Sequence, residues 1–156
     1  IPHAQESRGL GDVYKRQGYA ALAMAYKHSA LYECVAGGMG VYDLKILRDG
    51  TDGNVYTYND DYEEMAEDFW GNDEARHIDF SPVFNGNKMK SRILMWHGLQ
   101  DPISPILHMD KMKEELDNNN ISYQAFTMSK LGHTFGQKED IKAHLPVLKD
   151  FLFNEL

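Results

Sequence analysis

Apolar residues from Gly18 onward follow helix-like and strand-like spacing in turn. Residues 18–29 are rich in alanine and predict a buried helix that ends near Ser29. Residues 34–38 predict a short strand that runs into a glycine-rich loop. Residues 44–60 are polar and contain Asp-Gly turn signals, which predicts a surface excursion. A further helix is expected over residues 62–70, with its aromatic and methionine side chains on one face.

The second half of the chain repeats the alternation. Residues 92–96 form a continuous apolar run, typical of a strand buried on both faces. A helix is predicted from Ser104, with Ser104 as N-cap and Pro105 in its first turn. Its apolar stripe comprises Ile106, Met109, Met112 and Leu116. After a strand over residues 123–128, the last helix carries Ile141, Leu145, Leu148 and Leu152 on one face, with Pro146 as a bend.

Strands that alternate with helices predict the fold class. Each strand is followed by a helix before the next strand begins, which is the pattern of a parallel sheet in an α/β protein. The sequence predicts about three parallel strands with flanking helices. Three strands make a thin sheet, so we expect part of the sheet to be missing from this chain.

Composition and charge exclude several classes of function. The 156 residues are 42% hydrophobic, as in ordinary globular domains, and the formal net charge of −8 argues against a nucleic-acid partner. No apolar stretch approaches the length that spans a membrane, so no membrane role is predicted. The single Cys34 cannot form an internal disulfide, and the histidines lack metal-ligand spacing, so neither a metal nor a cofactor is predicted. Localisation stays open.

Two loops carry the candidate chemistry. His97-Gly98-Leu99-Gln100-Asp101 follows one predicted strand, and Leu131-Gly132-His133-Thr134-Phe135 follows the next. Functional groups of α/β proteins collect at the carboxyl ends of the strands. The spacing between Asp101 and His133 leaves room for one helix and one strand, so the two loops are expected to be neighbours. Asp101 could then orient His133 as a general base, although Asp-Pro and Gly-His also occur in ordinary turns.

The order acid then histidine is the second half of the α/β-hydrolase order, in which a serine in Gly-x-Ser-x-Gly comes first. That serine is expected just before the helix at Gly18, but the residues there read Val-Tyr-Lys-Arg-Gln. Ser7 follows a polar segment that contains proline, so we interpret it as a loop residue. Residues 12–17 back-translate as GAT GTG TAT AAG AGA CAG, which resembles a transposase adaptor of sequencing libraries. Residues 1–17 are therefore predicted to be an adaptor or assembly artefact, or a disordered segment.

Several segments together resemble the prolyl oligopeptidase family of serine peptidases. They are Gly18-Tyr19-Ala20-Ala21-Leu22, residues 28–37, Val41-Tyr42-Asp43-Leu44, Ser81-Pro82, the Met95-Trp96-His97-Gly98-x-x-Asp101 strand end with Pro105 after it, and Gly132-His133-x-Phe135. They fall in family order, and the resemblance covers residues 18–156. It implies the C-terminal half of an α/β-hydrolase catalytic domain, often preceded by a β-propeller, that cleaves peptides through a serine acyl-enzyme.

The resemblance also implies roles for individual residues. Asp101 would be the orienting acid and His133 the general base, and Val41 and Tyr62 lie where the family builds part of its substrate pocket. The resemblance implies that the intact protein acts on peptide substrates. Lys15 falls at the position of the serine, so the chain as written is expected to be inactive. Two alternatives stay open: an esterase or dienelactone-hydrolase-like enzyme on the same fold, and a natural non-catalytic binding domain in which Lys15 is genuine.

Overall fold

A computed structural model describes residues 13–51, 53 and 73–153. The helices and strands, in chain order, are α1 (Val13–Lys27), β1 (Cys34–Gly38), α2 (Leu44–Arg48), α3 (Glu74–Phe80), β2 (Arg92–Gly98), α4 (Leu107–Asn118), β3 (Tyr123–Met128) and α5 (Lys138–Phe153). Two short 3-10 turns, Pro82–Phe84 and Gly86–Lys88, lie between α3 and β2.

The three strands form one parallel sheet in the order β1-β2-β3. Val35 pairs with Ile93, and Ile93 pairs with Tyr123. The central strand is buried on both faces, since Ile93, Leu94 and Met95 are at most 1% exposed. The predicted class, α/β with three parallel strands and flanking helices, is confirmed. All three strands run the same way, so their carboxyl ends meet at one edge of the sheet.

One face of the sheet is covered by α1 and α4. Leu22 and Tyr26 of α1, and Met109, Met112 and Leu116 of α4, lie in the same buried cluster as side chains of β1 and β2. The apolar stripe predicted for α4 therefore packs inward. Burial of this aliphatic and thioether surface holds the helices against the sheet.

The start of α4 differs from the prediction. Ser104 is not its N-cap, because the helix begins at Leu107 after Ile106, and no side chain caps it. The Ser104 hydroxyl instead donates to the carbonyl of Gly40, 3.0 Å away. Ser104 is fully buried. A serine at this position therefore joins two loops rather than starting a helix.

The surface excursion predicted for residues 44–60 is partly wrong. Residues 44–48 form α2, whose N-cap Asp43 accepts hydrogen bonds from the backbone of Lys45 and Ile46. Leu44 and Leu47 are buried, because a turn of helix brings them onto one face. The helix predicted over residues 62–70 lies outside the described residues.

The apolar residues predicted on one face of α5 are covered to different extents. His144 and Phe151 are its buried residues, whereas Ile141 and Leu145 are 43% and 53% exposed. Pro146 lies inside the helix. The predicted apolar face is therefore only partly covered in the described part of the chain, and it borders a groove.

Helix α1 begins at Val13, five residues before the predicted start, and Gly18 allows it to approach β1 closely. A Cβ atom at Gly18 would lie 2.3 Å from the carbonyl oxygen of Gly38 and 2.8 Å from the backbone of Gly40. Only a glycine fits this approach of two backbones.

Replacing Gly18 by alanine should destabilise the chain. Alanine favours a helix interior by about 1 kcal/mol over glycine, but a Cβ this close to backbone atoms forces α1 away from β1. We expect the free energy of unfolding in urea to fall by about 1–3 kcal/mol, the usual cost of overpacking. Gly136→Ala is the control, because a Cβ there meets nothing within 4 Å. A Gly18→Ala chain as stable as the parent would contradict the close contact.

Candidate active site

Asp101 and His133 meet at the carboxyl edge of the sheet. The Nδ1 atom of His133 lies 2.7 Å from Oδ2 of Asp101, and both side chains are buried. The carboxylate is the acceptor, so Nδ1 of the neutral imidazole carries the proton and Nε2 presents its lone pair. The structure thus brings together the two residues that the sequence singled out.

The Asp101 carboxylate is held in place from its other side. Its Oδ1 atom accepts hydrogen bonds from the backbone N–H groups of Ile103 and Ser104, both at 2.9 Å. These bonds form because the chain turns directly after the aspartate, as Asp residues favour. With one oxygen fixed by the backbone, the other is left to orient His133.

The loops that carry the pair are joined by their backbones. The N–H of Leu99 donates to the carbonyl of Met128, and that of Gln100 donates to the carbonyl of Leu131, both at 3.0 Å. Gly98 makes this approach possible, since a Cβ there would lie 2.3 Å from the Leu131 oxygen and 2.4 Å from the Gly132 oxygen. The distance between Asp101 and His133 therefore depends on a glycine at position 98.

The second nitrogen of His133 is oriented for acid–base chemistry. Nε2 is buried and has no hydrogen-bond partner among the described residues. An imidazole whose Nδ1–H is held by a carboxylate can accept a proton at Nε2 and be stabilised as the cation. The described residues thus place a carboxylate and an imidazole in hydrogen-bonding geometry, with Nε2 of the imidazole left without a partner among them.

His97 lies beside the Asp101–His133 pair and forms a hydrogen bond to the loop that follows Asp101. Its Nε2 donates to the carbonyl of Ser104 at 2.6 Å and is 3.6 Å from Asp101 Oδ2. Burial lowers the pKa of His97, against the opposing effects of the Ser104 carbonyl and Asp101. His97 therefore supports the loop through its hydrogen bond to the Ser104 carbonyl.

The sequence did not indicate that Ser104 belongs to the site. Its carbonyl holds His97, its N–H holds Asp101 and its hydroxyl holds Gly40. The only available signal was the Asp-x-x-Ser spacing, which is typical of a side chain that accepts from a backbone N–H three residues on. Ser104 therefore links the ends of β1 and β2 around the carboxylate.

Buried histidines should make the chain less stable in mild acid. Burial lowers the pKa of His97 and of His144 below the usual 6.5. Between the lowered value and 6.5 the unfolded chain binds more protons than the folded one, so stability is present above this window and falls as pH falls through it. We expect urea unfolding to show this loss between pH 7 and pH 5.

A variant separates this effect from the titration of carboxylates. His144→Phe should flatten the stability profile by less than about 1.4 kcal/mol per pH unit, the limit for one proton. His28→Gln is the control, because His28 is exposed. Identical slopes for the parent and His144→Phe would contradict the prediction.

Of the two predicted substrate-binding residues, only Val41 is among the described residues. Val41 is 2% exposed and packs with Leu44 and Leu47, so its side chain lies in a small apolar cluster. Tyr62 lies outside the described residues. A role for either in binding substrate stays a prediction.

An apolar groove of about 320 Å³ lies between the start of α1, the ends of β1 and β2, and α5. It is lined by Gln17, Gly18, Ala36, Gly37, Gly38, Trp96, Phe135, Ile141, His144, Leu145 and Leu148. Within residues 13–51, 53 and 73–153, no group of three acidic, histidine or cysteine side chains is arranged to hold a metal ion. Nor does any helix in that part of the chain have the length and apolar character needed to cross a bilayer.

Comparison with known proteins assigns the chain to a family. The model of the prolyl oligopeptidase family matches residues 18–156. The chain belongs to the prolyl oligopeptidase family. This is a family of serine peptidases, so the resemblance seen in the sequence is confirmed. No curated protein matches the chain.

Solved structures support the fold. A puromycin hydrolase is 23% identical over 78% of this chain and 18% of its own, with a TM-score of 0.65. Dipeptidyl peptidase 4 of Porphyromonas gingivalis is 18% identical over 89% of this chain and 18% of its own, with a TM-score of 0.69. An acylaminoacyl peptidase of Pyrococcus horikoshii is 16% identical over 86% and 22%, with a TM-score of 0.68. The chain spans about a fifth of the length of these proteins.

Proposed function

We propose that residues 18–156 supply the acid and the base of a prolyl oligopeptidase-type serine peptidase. The observation that carries this proposal is the buried hydrogen bond of 2.7 Å between Asp101 and His133. Asp101 fixes the imidazole and stabilises its protonated form, and His133 removes the proton of a serine hydroxyl at Nε2. His133 then returns that proton to the leaving amine.

The nucleophile is the component that this chain lacks. When the Gly-x-Ser-x-Gly motif is aligned so that Gly18 is the glycine that follows it, Lys15 occupies the serine position. We propose that the native residue there is serine, and that residues 1–17 are wholly or partly an adaptor artefact. Two observations support this: the six residues 12–17 can be back-translated as the adaptor, and Gly18 fits closely against Gly38, as the glycine after the motif would. As written, the chain has no group for acyl transfer at this position and is expected to be inactive.

The proposed substrate is a peptide. Serine peptidases of this family act on peptides, and among the proteins of similar fold are a dipeptidyl peptidase and an acylaminoacyl peptidase. We propose that the intact protein carries a further N-terminal region, such as a β-propeller, that limits access to the site. The backbone hydrogen bonds between the Asp101 and His133 loops would keep His133 in position to accept the serine proton.

The test is to amplify and sequence the source DNA across the Gly18 codon. An in-frame Gly-x-Ser-x-Gly in place of the adaptor string would support the proposal, and the complete protein should then react with a fluorophosphonate probe for activated serines. Persistence of the Lys15 codon in native DNA would overturn it. The non-catalytic binding domain would then be the function to examine.

A further inference from the structure

His144 of α5 lies at the centre of an aromatic cluster. Its ring centroid is 4.3 Å from that of Trp96 on β2, 5.8 Å from that of Phe126 on β3 and 5.0 Å from that of Phe135. Trp96 and Phe126 are themselves stacked at 6.5 Å. The imidazole therefore joins both strands to a loop residue through ring contacts, which are favourable at these separations.

Phe135 belongs to the loop that carries His133. On the N-terminal side of His133, the loop is held by the hydrogen bond from Gln100 to the Leu131 carbonyl. On the C-terminal side, Phe135 is nearly parallel to His144, with 29° between the ring planes. The second contact lies only two residues from the imidazole that must face Asp101. The loop is thus held on both sides of His133.

We infer that His144 is a positioning residue: by stacking on Phe135 and packing at a tilt against Trp96, it keeps the His133 loop in the conformation that bonds to Asp101. This inference rests on the proposed function, in which His133 is the base. His144 acts through Phe135 and not on substrate, so its effect is on the geometry of the pair.

The hydrogen bonding and charge of His144 agree with a stacking role. The residue is 5% exposed, and its Nδ1 has no hydrogen-bond partner among the described residues. Burial lowers its pKa, so the ring is uncharged at neutral pH. A neutral imidazole among three aromatic rings contributes mainly its planar surface. An aromatic side chain of similar size should therefore replace it, and a small one should not.

The experiment follows the hydrogen bond itself in the 156-residue chain. The protein is labelled with ¹⁵N-histidine, and the exchange rate with water of the His133 Nδ1 proton is measured by NMR at pH 7.5. Loss of the stacking should open the loop more often, so His144→Ala and Phe135→Ala should each raise the rate roughly tenfold. His144→Phe should keep it within about twofold of the parent, because the stack is preserved.

The matched control is Leu148→Ala. Leu148 lies one helical turn after His144, is half-buried and lines the same groove, so its truncation loosens α5 without removing a ring. It should leave the exchange rate near that of the parent. An equal effect of Leu148→Ala, no effect of His144→Ala, or a parent chain without a protected His133 proton would each overturn the inference.

This readout does not depend on a nucleophile. A failed stacking test leaves the proposed function standing if the restored protein still reacts with the serine probe. Conversely, a silent probe with the expected exchange rates would reject the peptidase and keep the positioning role of His144 in the fold.

Discussion

His133→Ala should abolish turnover in a protein in which Gly-x-Ser-x-Gly is restored before Tyr19 together with the upstream region. Without Nε2 no group removes the serine proton, and the loss of one triad member costs on the order of a millionfold in kcat in a well-studied serine protease. The measurement is kcat on a peptide amide substrate, with reaction toward the fluorophosphonate probe as a second readout.

Two further variants give this prediction its control. Asp101→Asn should lower kcat by about ten-thousandfold, because the amide favours the wrong imidazole tautomer. His28→Ala should leave kcat unchanged, since His28 is an exposed residue at the end of α1. Full activity in His133→Ala would remove His133 from the mechanism, whatever the other variants show.

Gly98→Ala should separate Asp101 from His133. The added Cβ would lie 2.3 Å and 2.4 Å from two carbonyl oxygens of the His133 loop, so the loop must move out by several tenths of an ångström or more. Displacing a catalytic group by 1 Å can cost about a hundredfold in rate. We expect a loss of that order in kcat of the restored protein, and a loss of about 1–3 kcal/mol in stability from overpacking.

The adjacent loop offers a matched control for Gly98. A Cβ at Gly132 would meet only the carbonyl oxygen of Gln100, at the ordinary contact distance of 3.6 Å. Gly132→Ala should therefore change kcat and stability little, although this glycine is next to His133 itself. Equal losses in both variants would show that any side chain in this loop is harmful and would reject the specific clash at Gly98.

The sequence predicted those parts of the fold that depend on local pattern. The strand predicted over residues 92–96, which is β2, and the stripe on α4 were recognisable because a continuous apolar run and helical spacing both leave a clear signal. The proximity of Asp101 and His133 was predictable because the loops after adjacent parallel strands lie at one edge of the sheet. Each inference needed only residues close together in the chain.

The errors concern residues whose partners are distant in sequence. Ser104 resembled an N-cap, but its hydroxyl bonds to Gly40, which local pattern cannot show. The pattern placed the apolar residues of α5 on one face, but it could not show which of them are covered, and Leu145 is half exposed among the described residues. The importance of Gly98 was invisible as well, because the close approach involves a loop more than thirty residues later. All three features depend on tertiary contacts, which local sequence patterns do not show.

The hydrogen bonds between loops at the carboxyl edge of the sheet have a consequence for sequence divergence. The bonds from Leu99 to Met128 and from Gln100 to Leu131 join backbone atoms only, and the Ser104 hydroxyl bonds to a backbone carbonyl. Most side chains at this edge can therefore be substituted while the loops keep their conformation, provided that glycine is kept where two backbones are in contact. We therefore expect this edge to tolerate sequence divergence; proteins that share only 16–23% of their residues with this chain have a similar fold.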